Sequence, residues 1–203
     1  MITKGILYAL SACFLWGLIF VIPQFLAGFS CFEVALGRYF FYGLISICIF
    51  FRAIFQKKFQ YSIYFWKKAL FFSLVCTIGF YTFLVLALRY SSSTIPALVL
   101  GISPVTIAFY GNWKEKETSF KNLITPSLLI IAGLITYNIP NLSTNDSSSL
   151  ILGFFCSTIC LSMWTWYAVK NAQFLKNHIS INSSDWSTLI GINTFFWVII
   201  LGA

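Results

Sequence analysis

Charge is the first thing the chain lacks. Of its 203 residues only 9% are Asp, Glu, Lys or Arg, five are acidic and one is histidine. A soluble domain carries about 25% charged residues. So sparse a set cannot cover a water-facing surface in the usual way. The shortage argues against a soluble enzyme, a disordered chain and a nucleic-acid binder. Catalytic patterns are missing too. There is no phosphate-binding glycine loop, no GxSG serine, no HExxH and no pair of aspartates within an apolar run. The six cysteines form no CxxC and no Cys/His metal spacing, and they read as small buried hydrophobes. No enzyme activity, cofactor or metal is therefore expected.

What the chain has in excess is apolar surface. Hydrophobic residues make up 59% and aromatic residues 20%, with a mean hydropathy of +0.86. A helix needs about 20 mostly apolar residues to cross a bilayer. That rule predicts an all-α polytopic membrane protein of about seven transmembrane helices. Their approximate limits are Gly5 to Leu26, Phe32 to Phe51, Ala69 to Leu88, Ile95 to Tyr110, Leu123 to Tyr137, Ser149 to Val169 and Trp186 to Ala203. The runs are continuous, whereas barrel strands would alternate. The first run lacks a small-residue cleavage site and reads as a retained helix. Ser93 and Thr94 are candidate caps for the fourth helix, with Pro96 in its first turn. Trp66, Tyr110, Trp113 and Trp186 fall near expected lipid–water interfaces.

Lysine and arginine orient the spans. Eleven of the thirteen fall before the first span or in the loops after the second, fourth and sixth. Those segments are expected to be cytoplasmic, the N-terminus included. The net charge of +8 is then a topology signal, not a nucleic-acid footprint. Five spans precede the polar stretch NLSTNDSSS at 141–149, which holds two N-x-S sequons, at Asn141 and Asn145. An odd count turns the following unit upside down. At an offset of 148, Gly5 meets Gly153, Trp16 meets Trp164, Val21 meets Val169 and Gly43 meets Gly191. The expected organisation is a five-helix unit (1–138), a linker (139–148) and a partial inverted repeat of two helices (149–203). Inverted repeats characterise many secondary transporters, with the substrate site near the midplane between them.

Several polar or aromatic residues within the spans are candidates for such a site. Arg38 would attract an anionic or zwitterionic group; the alternatives are a structural pair with Glu33 or snorkelling to the surface. Trp16 and Trp164 would give aromatic walls suited to hydrophobic, aromatic or cationic solutes, or simply pack helices. Gln24, Tyr42, Tyr81 and Asn193 are further substrate-binding candidates or interhelical hydrogen-bonding groups. Tyr42 lies one turn from Arg38 and should share its face. Pro104, with Gly101 beside it, interrupts the fourth helix as a hinge or a static kink. The loop KEKE at 114–117 reads as a solvated interface.

The stretch from Ala87 to Val105, ALRYSSSTIPALVLGISPV, resembles the third-to-fourth helix signature of EamA-type domains of the drug/metabolite transporter superfamily. Phe14-Leu-Trp16-Gly17, Arg38, Glu117 and Ala132-Gly133 resemble further motifs, in the same order. The resemblance covers 5–138 well and 149–203 more loosely. It implies two inverted five-helix units and secondary-active transport of small metabolites or drugs, as an exporter, in a bacterial inner membrane. Against that pattern the sequence stops within or just after its expected seventh span, at Leu201-Gly-Ala203, and about three helices of the second unit are expected to be lacking. The alternative expectation is a truncated or non-transporting partner protein. The implied partners are the bilayer, a small-molecule substrate, and the missing helices or another membrane chain; no nucleic acid is implied.

The topology is directly testable. A reporter fused at Asp146 should be active only outside the cytoplasm, and one at Lys176 only within it. The reverse pattern in paired phosphatase and fluorescent-protein fusions would overturn the orientation.

Overall fold

The computed structural model describes residues 2–55, 61–91, 93–115, 119–138, 147–179 and 181–202. Among them the chain is helical and without strands. Helix α1 spans Ile2–Phe25 and α2 Cys31–Phe55. Helix α3 (Ile63–Ser73) runs through a π-helical segment, Leu74–Gly79, into α4 (Phe80–Tyr90). Helices α5 (Thr94–Gly101) and α6 (Ser103–Glu115) make up the fourth predicted span. Then come α7 (Phe120–Asn138), α8 (Ser147–Asn177) and α9 (Ser183–Gly202).

Among the described residues, six stretches are long and apolar enough to cross a membrane. They are Gly5–Phe25, Cys31–Arg52, Ile63–Tyr90, Thr94–Glu115, Leu150–Asn177 and Ser183–Gly202. The seventh predicted span falls in α7, whose apolar stretch Phe120–Gly133 is shorter. Helix α8 has 31 residues, or about 46 Å at 1.5 Å per residue. That exceeds a hydrocarbon core of about 30 Å, so α8 must tilt or project.

Local chemistry fixes several boundaries. Ser30 and Glu33 form a reciprocal capping box at the start of α2. The Glu33 amide donates to Ser30 Oγ at 3.1 Å, and the Ser30 amide donates to Glu33 Oε2 at 2.6 Å. Asn182 starts α9: its Oδ1 accepts from the Ser184 amide at 3.1 Å, and its carbonyl accepts from the Trp186 amide. The expected cap at Ser93 is corrected. Ser93 precedes α5, but its backbone is itself helical and its hydroxyl makes no capping bond. The extended geometry that aims a hydroxyl at the first free amides is missing. The fourth span breaks at Ile102, two residues before Pro104. There the Ile102 carbonyl accepts from both Val105 and Thr106, and Pro104 sits in the first turn of α6, where its missing N–H costs nothing.

Helix α9 packs against α2 and α3, and α8 packs against α4, α5 and α6. Helix α7 lies on α5 and α6, whereas α1 meets mainly α4 and is the least buried span. Small residues permit the closest approaches. A methyl group on Gly43 would collide with Phe195, and one on Gly191 with Ser46. Along α8, Gly153, Cys156, Ser157 and Cys160 form a buried stripe that brings in α4. A methyl group on Gly153 would lie 2.5 Å from Ser91 Cβ, and the Cys160 thiol meets the Phe80 carbonyl at 3.0 Å. This is the small-residue packing that membranes favour.

Two further expectations need correction. Trp186 is buried core, not an interfacial ring: it stacks on Phe174 at 4.4 Å and donates to Asn171 Oδ1 at 2.6 Å. Cys13 and Cys48 are exposed, unlike the other four cysteines. A thiol behaves as a small hydrophobe and sits comfortably against lipid. Asn141 and Asn145 lie outside the described residues.

The α2–α9 crossing makes a clear prediction. Gly191→Ala and Gly43→Ala should each destabilise the detergent-solubilised protein, by about 1–3 kcal/mol as for overpacked cores. Gly17→Ala, where nothing lies within 4 Å, should be neutral. Thermal unfolding of the three variants checks this.

Candidate functional site

The α2–α9 crossing leaves a gap on one side of itself, a cavity of about 270 Å³ between α2, the π segment, α8 and α9. Helix α2 contributes the neighbours Arg38 and Tyr39 and, about one turn on, Tyr42. The π segment contributes Cys76 and Thr77. A π turn shifts the side-chain register within an otherwise α-helical span and is frequent at functional sites. Thr77 donates to the Ser73 carbonyl and meets Thr194 Oγ1 at 3.3 Å, which ties the widened turn to α9. Helix α8 contributes Trp164 and Tyr167, and α9 contributes Ser187 and Ile190. The Tyr42 hydroxyl closes one edge by donating to the Ser187 carbonyl at 3.2 Å.

Arg38 also borders a second cavity, of about 450 Å³, between α1, α2 and α4. Ile22, Leu26, Phe29, Phe41 and Tyr81 make most of its wall apolar, and Glu33 also lines it. The Arg38 guanidinium carbon lies 4.6 Å from the centroid of the Tyr81 ring and 5.7 Å from that of Tyr39. Tyr39 and Tyr81 meet edge to face at 5.7 Å, and both are buried. The cation is thus held by ring faces. The pairing with Glu33 is not made: among the described residues no ion pair joins them, and Glu33 is engaged by Ser30. Five residues apart on a helix, the two side chains point about 140° away from one another. Other hollows, of about 430 to 460 Å³, lie beside α6 and α8 and beside α2 and α9, the last sharing Glu33 and Gly37 with the larger Arg38 cavity.

The candidates named from the sequence divide into two groups. Arg38, Tyr42 and Trp164 converge on the smaller cavity, with Tyr81 beneath the guanidinium. Trp16 reaches the same region, its ring 5.4 Å from that of Trp164. Gln24 and Asn193 do not converge. The Gln24 amide donates back to the Phe20 carbonyl at 2.9 Å, and the Asn193 amide to the Leu189 carbonyl at 2.8 Å. Each satisfies a polar head on its own helix. Gly101 and Pro104 flank the Ile102 break, away from the cavity. Glu115 of the KEKE loop pairs with Lys176 at 2.7 Å, while Lys116 and Glu117 lie outside the described residues. Tyr39, Cys76, Thr77, Tyr167, Ser187 and Ile190 were not anticipated. Tyr167, three residues after Trp164, was accessible from helical spacing. The residues of the π segment carried no signal.

The ring–cation contact can be measured in a double-mutant cycle. Arg38→Gln and Tyr81→Leu should show a stability coupling of about 0.5–2 kcal/mol. Strict additivity in reversible unfolding would mean that the ring does not hold the charge.

Comparison with known proteins places these features in a family. A model of the EamA-like transporter family matches residues 3–139. Inner membrane protein YtfF of Escherichia coli (strain K12) is 27% identical over 193 residues, covering 91% of this chain and 60% of the relative. The chain therefore spans about three fifths of the length of that curated relative. No solved structure matches. The family match runs from α1 through α7, well over half of the sequence, and so the chain is an integral membrane protein that belongs to the EamA-like transporter family of the drug/metabolite transporter superfamily.

Proposed function

We propose that the chain acts as a secondary-active transporter of a small metabolite or drug, with the Arg38 cavity as its substrate site. The two units, 1–138 and 149–203, form an inverted pair across the linker 139–148 and alternate their access. The membrane is a bacterial inner membrane, the N-terminus is cytoplasmic, and transport runs outward. The inner-membrane description of YtfF supports that location.

The observation that carries this reading is the Trp16–Trp164 contact at 5.4 Å. These two residues are counterparts at the offset of 148. In an inverted pair, a residue touches its own counterpart only near the two-fold axis. The glycine crossing has the same reciprocity. Gly43 receives Phe195, four residues beyond Gly191, and Gly191 receives Ser46, three residues beyond Gly43. Such reciprocity fits two antiparallel helices related by an axis in the membrane plane. The cavity lies beside this crossing, where transporters of that design bind substrate. Energy would come from an ion or solute gradient, since the sequence carries no nucleotide-binding loop.

Alternating access can be tested without knowing the substrate. In a protein whose six cysteines are replaced, Thr77→Cys places one thiol on the cavity wall. A membrane-impermeant maleimide should label it from either face, in sealed vesicles of each orientation. Labelling from one face alone would overturn alternating access.

A further inference from the structure

We infer that the substrate class of the Arg38 cavity is a single-ring aromatic monocarboxylate, its carboxylate on Arg38 and its ring against Trp164 and the tyrosines. The inference rests on the reading of this cavity as the substrate site.

The charge arrangement supplies the sign. The five N–H donors of a guanidinium point outward in its plane. The central carbon of the group lies 4.6 Å over the Tyr81 ring, a contact that pairs none of those donors with an oxygen. Among the described residues no hydrogen-bond acceptor or carboxylate engages Arg38. A planar carboxylate fits the edge of the group with two parallel hydrogen bonds. The cavity wall holds no acidic side chain. An ammonium group, on an amine or on a zwitterion, would therefore enter a site with a cation and no counter-ion. A phosphate dianion would bring a second negative charge that the single arginine leaves uncompensated.

The walls supply the body. Trp164, Tyr39, Tyr42 and Tyr167 give flat aromatic surface, and Ile190 adds aliphatic surface. Aromatic faces favour offset or edge contact with another ring. At about 270 Å³ the cavity falls just below the roughly 300–1,000 Å³ of drug-sized sites. One ring with a short acid fits better than a fused, multi-ring compound. Arg38 borders both cavities, but Glu33 also lines the larger, so the smaller is the one in which the guanidinium stands without an acidic wall residue.

Four probes with one ring and different charge test the inference: benzoate, benzylamine, benzyl alcohol and phenylglycine. Radiolabelled benzoate should bind the purified full chain in nanodiscs. The amine, the alcohol and the zwitterion should each compete at least tenfold more weakly than unlabelled benzoate. Arg38→Gln should weaken benzoate at least tenfold, Arg38→Lys, which keeps the charge, should recover part of the binding, and circular dichroism reports that both variants are folded. Equal competition by the amine, the alcohol or the zwitterion overturns the inference, and so does undiminished benzoate binding by Arg38→Gln. Absence of benzoate binding also overturns it. In that case two-sided labelling of Thr77→Cys leaves the transport reading standing, whereas one-sided labelling removes it.

Discussion

The close approach of α2 to α9 is the constraint on which the interior depends. Lipid tails are as apolar as leucine, so helices in a membrane gain little from burying hydrophobic side chains against one another. Association rests on dispersion, which falls steeply with small gaps, and on hydrogen bonds. Gly43 and Gly191 remove the side chains that would hold the backbones apart, and Phe195 and Ser46 fill the space. The crossing sets the separation of Arg38 and Tyr42 from Ser187 and Ile190. It thereby sets the width of the cavity between them, and Tyr42 spans the edge with a hydrogen bond to Ser187.

The remaining walls follow from two devices in the other spans. In the α3–α4 span, the π segment turns Cys76 and Thr77 towards the cavity. Without it, α4 would leave that segment about 100° out of register per added residue. In α8, the small-residue stripe seats the helix on α4, and Trp164 lies against Phe80 at 5.6 Å. Trp164 therefore takes one orientation, fixed by a ring from α4, by Tyr167 at 5.8 Å and by Trp16. Next to the cavity an aromatic cluster, joined to it through the Phe72–Tyr167 contact at 5.8 Å, locks α3, α8 and α9 together. Phe72 packs on Trp166 and Trp186, and Trp197 donates to the Leu70 carbonyl at 3.0 Å.

The sequence disclosed features that depend on the solvent and hid those that depend on neighbours. Spans were legible because a bilayer demands long apolar runs with satisfied backbones. The clustering of Arg38 with Tyr42 was legible because helical spacing places them on one face. Trp186 misled because a tryptophan near a span end has the same sequence signature in a lipid belt and in a core. Its core position depends on Phe174 and Asn171, fifteen or fewer residues away along the chain but on another helix. Gln24 and Asn193 each turn back onto their own helix because an amide in a span needs a partner, and the carbonyl four residues back is within reach. The π segment is a change in hydrogen-bond register, with no composition of its own. The capping box Ser30-x-x-Glu33 is legible in the sequence as the start of α2.

The charge on Arg38 ties structure to chemistry. An arginine at the centre of a membrane helix costs about 2.5–3.5 kcal/mol on insertion scales. A cation over an aromatic face recovers about 0.5–2 kcal/mol. Arg38 is the eighth residue of α2 and exposed, so its own cost is below that central value, and the rings of Tyr81 and Tyr39 at 4.6 and 5.7 Å offset part of it. A carboxylate partner from the chain would meet it, but the sequence has only five acids and Glu33 is committed to its capping box. Ring faces hold the guanidinium in place without consuming its donors, as an ion pair would. A side chain oriented in this way keeps its strongest directional interactions available, and the cavity it borders is where they can be used.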